Sequence, residues 1–68
     1  MLNEDILKGK WRQIKGEVQK KWGKLTDDDL DKIDGDREKL LGRLQENYGV
    51  AREDSETMLK EFEQEHRD

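Results

Sequence analysis

The sequence has no cysteine, so neither a disulfide framework nor a thiolate site is open to it. It also lacks any long apolar run. The longest is two residues, as at Ile6–Leu7, which excludes a membrane-spanning helix and the apolar stretch of a secretory leader. The expectation is a soluble, cytoplasmic protein that makes no use of a membrane. Histidine occurs once, as His66 near the C-terminus, and serine once, as Ser55. The pattern places no base near Ser55, so an activated nucleophile lacks its second member. Carboxylates are plentiful, but abundance does not make a pair in a cleft. A chain of 68 residues also leaves little volume in which to enclose a substrate. The chain is therefore read as not an enzyme. Catalytic, cofactor-binding and metal-ligating residues are all expected to be absent, as is any cofactor.

What is present is charge. Charged residues make up 47% of the chain and hydrophobic ones 29%, a balance close to that of disordered segments. The net charge of −4 is too small for self-repulsion to hold the chain open. One domain over residues 1–68 is expected, small enough that its fold is marginal.

Helical periodicity recurs along that domain. Leu7, Trp11, Ile14, Val18 and Trp22 fall 4, 3, 4 and 4 residues apart, which predicts a first helix from about Glu4 to Trp22. Asn3 would cap it, Leu2 and Leu7 would form a hydrophobic staple, and Gly23 would end it in a left-handed conformation. In LTDDDL, Thr26 is the cap of a short second helix. Asp27 to Asp29 then stand at the positive end of its dipole, with Leu25 stapled to Leu30. Asp34-Gly35 stops that helix. A third runs from about Asp36 to Tyr48 with Leu40, Leu41, Leu44 and Tyr48 inward, and Gly49 ends it. The fourth, about Arg52 to Glu65, carries Ser55, Met58, Leu59 and Phe62 on one face and has the weakest cap. Glu17–Lys21, Asp28–Lys32 and Glu56–Lys60 have the favourable i,i+4 order.

A shift of 26 residues lays Gly9, Gly16 and Gly23 on Gly35, Gly42 and Gly49, and Trp22 on Tyr48. The fold class expected is all-α: a small four-helix domain of two packed helical hairpins with an approximate internal duplication. The halves are about 3–33 and 34–65, and Trp11, Trp22 and Tyr48 are the bulky core pieces. Gly9, Gly16 and Gly42 lie opposite the apolar seam and are expected to face water.

Two charged stretches invite ligands. Counted from Asp27, acids occupy positions 1, 3 and 5 of a calcium-loop pattern, and Glu38 falls at position 12. The sharp turn needs glycine at position 6, where Lys32 stands, so metal binding is not expected. Residues 1–24 hold seven Lys/Arg against three Asp/Glu, while the rest of the chain holds seven against fifteen. Lys8, Lys10, Arg12, Lys15, Lys20, Lys21 and Lys24 spread around the helix without forming a stripe, so specific nucleic-acid recognition is not expected.

The pattern G-x-W-R-Q-I-K-G-x-V-x-x-x-W-G-K-L-T-D-D-D-L runs from Gly9 to Leu30, followed by Gly35, Gly42 and Tyr48-Gly49. It closely resembles the CsbD-like family, over about residues 3 to 50, with WGKLTDDD as the most specific piece. The resemblance implies a small bacterial cytoplasmic protein of the general stress response and a fold of two helical hairpins. The family carries no established catalytic residues, so none are transferred. The composition is also similar to that of hydrophilins, charged cysteine-free proteins associated with water deficit. The function expected is a non-enzymatic, protective stress protein, monomeric and of unknown partner. The alternative is a small binding module that contacts a protein or nucleic acid through the basic first helix.

Overall fold

The computed structural model describes the backbone of residues 4–65 and the side chains of residues 7–65. Five helices follow in order: α1 (Glu4–Gly9), α2 (Trp11–Lys21), α3 (Asp27–Ile33), α4 (Arg37–Tyr48) and α5 (Arg52–Glu65). All regular structure among the described residues is helical.

The expected count of four is corrected by a break in the first helix. Lys10 sits at φ −108° and ψ 13°, the sparsely allowed bridge between helix and strand. Its carbonyl accepts from the N–H groups of both Gln13 and Ile14 at 2.9 Å, which restarts the helix. The break follows Gly9, the residue with the poorest helix propensity in the segment, and leaves it terminal. It also turns the end of α1 onto the turn between α3 and α4. A Cβ placed on Gly35 would stand 2.6 Å from the Lys8 Cα and 3.3 Å from the Leu7 carbonyl oxygen. The cap at Asn3 and the Leu2 side of the staple lie outside the described residues.

A second correction concerns the end of α2. Gly23 is not left-handed; among the described glycines only Gly35 and Gly49 have positive φ. Trp22 is the terminal residue, extended at φ −120° and ψ 83°, and its N–H donates to the Val18 carbonyl. That geometry leaves the Trp22 indole 3% exposed.

The remaining boundaries follow local chemistry. Thr26 Oγ1 accepts from the Asp29 N–H at 3.1 Å, and Asp29 Oδ2 accepts from the Thr26 N–H at 3.0 Å, a reciprocal capping box. Asp34 is left-handed at φ 44° and closes α3, Gly35 follows at φ 81°, and Asp36 caps α4 through the Lys39 N–H. Gly49, at φ 65°, ends α4 as expected.

Twelve apolar side chains form one core, to which every helix contributes. Trp11 and Trp22 are in it, and the Trp22 and Phe62 rings lie 5.2 Å apart. Tyr48, expected inside, sits at the edge, where its hydroxyl accepts from the Lys24 N–H at 3.4 Å. Gly9 and Gly16 are exposed and Gly42 is half-buried, and a Cβ on any of them would meet nothing within 4 Å. The closest-packed helix pairs are α1 with α2, α3 with α4, and α4 with α5.

Candidate interaction surface

The acidic run from Asp27 to Asp36 is divided among structural tasks. Residues Asp27–Ile33 are helical, a geometry in which successive acids cannot wrap a cation as a calcium loop does. Asp27 Oδ1 accepts from Gln19 Nε2 at 2.9 Å, Asp28 pairs with Lys32 at 3.1 Å, and Asp31 takes Lys15 Nζ at 3.1 Å. Among the described residues no group of three or more acids, histidines or cysteines is arranged to hold a metal ion.

Asp29 does the most. Besides Thr26, its carboxylate accepts from Asn47 Nδ2 at 3.0 Å and faces Arg43 Nη1 at 3.6 Å. Asn47 also donates to the Lys24 carbonyl at 3.4 Å, and Lys24 Nζ stands 5.1 Å from the centre of the Tyr48 ring. WGKLTDDD is thus the joint between the end of α2, the start of α3 and the second half of α4. The Thr26 N–H, then Asn47, hold the Asp29 carboxyl below its usual range. A carboxyl held low in the folded state stabilises above its unfolded pKa of about 4, and that contribution is lost as pH falls through the folded value. The melting-temperature difference between wild type and Asp29→Asn should therefore shrink between about pH 6 and pH 2. Curves that stay parallel would remove Asp29 from the acid response. Glu38 is shifted in the same direction by its hydrogen bond from Arg52, 2.9 Å away.

The basic N-terminal third divides in two. Lys15 and Lys21 are engaged with acids of other helices, and Lys24 lies over Tyr48. The Lys21 ammonium, 2.8 Å from Glu65 Oε1, is held above its ordinary range by that hydrogen bond. Lys8, Arg12 and Lys20 are exposed. A shallow groove of about 400 Å³ between α2 and α5 is lined by Glu17, Lys20, Lys21 and Glu65. Its mixed charge gives it no preference for an anion. Trp11 is 7% exposed and Trp22 3%, so neither offers a face on which a base could stack.

Ser55 is buried, and its hydroxyl donates to the Arg52 carbonyl at 2.6 Å, which commits it to the backbone. His66 lies outside the described residues. The pattern of apolar residues missed Glu63, which is 2% exposed. Its Oε1 is 3.8 Å from Arg37 Nε, and its Oε2 has no hydrogen-bond partner. The spacing contained the signal, since Glu63 is four residues beyond Leu59 and eight beyond Ser55, on the same helix face.

A family model described as CsbD-like matches residues 5–57. The chain is 50% identical over 66 residues to UPF0337 protein pc0632 of Protochlamydia amoebophila, covering 97% of this chain and all of that protein. It is 48% identical to UPF0337 protein PA4738 of Pseudomonas aeruginosa, covering 90% and 94% of the two chains. It is 44% identical to UPF0337 protein YjbJ of Escherichia coli strain K12, covering 91% and 90%. No solved structure matches the chain.

Proposed function

Since the chain belongs to the CsbD-like family, we propose that it is a non-enzymatic protein of the bacterial general stress response that works by protecting other macromolecules in the cytoplasm. The reading rests on the way its charges are disposed. Ion pairs on the outside tie different helices together: Lys15 to Asp31, Lys21 to Glu65 and Arg52 to Glu38. In ordinary water such exposed pairs contribute little, because solvent screens them. As water is withdrawn the effective dielectric falls and the same pairs attract more strongly. A surface of this kind keeps the monomer soluble when wet. When drying begins, it offers neighbouring macromolecules charged groups in place of lost water.

The test is to dry and rehydrate a labile enzyme with and without this protein at equal mass. Recovered activity should be higher with it, by a margin that grows with the protein-to-enzyme ratio. Recovery equal to that of the enzyme dried alone would end the proposal. The alternative, a binding module using the basic first helix, has less support because Lys15 and Lys21 already face acids of the same molecule. It is separated by retention on immobilised nucleic acid: a binder is released along a steep salt gradient, a solvating protein is not retained.

A further inference from the structure

Glu63 is anomalous in a chain this rich in solvent-exposed charge. It is 2% exposed, the cation paired with it among the described residues, Arg37, is too distant for a hydrogen bond, and Oε2 has no hydrogen-bond partner. A buried carboxylate oxygen without a donor is costly, and a buried ion pair with poor geometry does not recover the desolvation. This cost falls on α5, which is packed chiefly against α4 and buries Ser55, Leu59 and Phe62 beside Glu63. Leu59 and Phe62 are its buried apolar residues, with Met58 packed alongside. The ion pairs it makes to α2 and α4, Glu65 with Lys21 and Arg52 with Glu38, are exposed. Its first turn has no side-chain cap from Ala51, which supplies only its carbonyl to the Ser55 N–H. A three-residue link, Gly49 to Ala51, joins it to α4.

We propose that α5 is a detachable helix and that Glu63 is the weak point that sets how often it lets go. In the open form Glu63 is hydrated and loses its penalty, while α2, α3 and α4 keep the Asp29 joint and most of the leucine core. Release separates Phe62 from Trp22 and bares the Trp22 ring together with the face of α4 that α5 covers. The protein then has a second state that shows an aromatic and aliphatic surface without unfolding. This goes beyond the protective reading and does not depend on it.

Amide hydrogen exchange by NMR tests the inference on the whole chain. In the wild type, amides from Met58 to Phe62 should exchange at least about tenfold faster than those from Leu40 to Leu44, because α5 opens without the rest. Glu63→Met removes the orphaned oxygen at similar length. It acts on the closed form alone, so it should slow both groups by the same factor, about tenfold, and leave the gap between them intact. Arg37→Met strands the buried carboxylate and should speed α5 exchange. No gap in the wild type would mean that α5 opens only with the whole fold, and would overturn the detachable helix. A gap with α5 rates unchanged or faster in Glu63→Met, or unchanged in Arg37→Met, would overturn the role given to Glu63. None of these readouts involves protection of a client, so the inference can fail while the stress role stands, and the reverse.

Discussion

Replacing Trp22 with alanine is expected to remove most of the stability of the fold. The indole is 3% exposed, lies 5.2 Å from the Phe62 ring, and stands where the end of α2 meets α5. Truncating a buried tryptophan costs roughly 3–5 kcal/mol, against a total stability that starts at about 5 kcal/mol for small domains. The same change at Trp11, 7% exposed, should be destabilising in the same direction. Far-UV circular dichroism during a thermal melt checks both. A wild-type melting temperature for Trp22→Ala would show that the packing of α2 against α5 is wrong.

Gly35→Ala is expected to be the second most damaging small change, although it adds a single methyl group. The backbone there is left-handed at φ 81°, and the new Cβ would stand 2.6 Å from the Lys8 Cα, an atom of the main chain that cannot rotate away. Left-handed strain and overpacking each cost about 1–3 kcal/mol, so a loss of roughly 2–6 kcal/mol follows. Gly16→Ala and Gly42→Ala should have the opposite sign, because nothing lies within 4 Å of either new Cβ. Each should stabilise by about 0.4–1 kcal/mol through the unfolded chain, or several degrees in melting temperature for a domain of this size. A Gly35→Ala variant as stable as wild type would mean that α1 does not rest on that turn.

The difference among these glycines shows what the sequence could and could not reveal. The Thr26 capping box, the Asp34-Gly35 stop and the Gly49 stop were legible because each is settled within a few residues. The seam from Leu7 to Trp22 was legible for the same reason: Leu7, Trp11, Val18 and Trp22 are buried, and Ile14 is half-buried beside them. The break at Lys10 was not, since Lys10 is an ordinary helix residue and the apolar spacing runs through it undisturbed. Beside that break, the end of α1 lies against the turn at Gly35, far along the chain. Periodicity showed that Gly16 faces water but not that Gly35 is pressed against another segment. At the candidate surface, the helical role of the Asp27–Asp29 run could be read locally. The hold of Asn47 and Arg43 on Asp29 depends on how α4 crosses α3, and no local pattern contains it. Glu63 was missed because an acidic residue in a charged helix is ordinarily taken for solvated.

The order in which the helices touch has a kinetic consequence. The best-packed pairs are neighbours in the chain, α1 with α2, α3 with α4, α4 with α5, joined by links as short as the single residue Lys10. A chain wired this way closes only short loops before each contact stabilises it, and helical proteins of such local topology fold in microseconds to milliseconds. No proline is present to impose a slow isomerisation, and no disulfide has to be re-formed. Refolding is then free of any slow search along the chain.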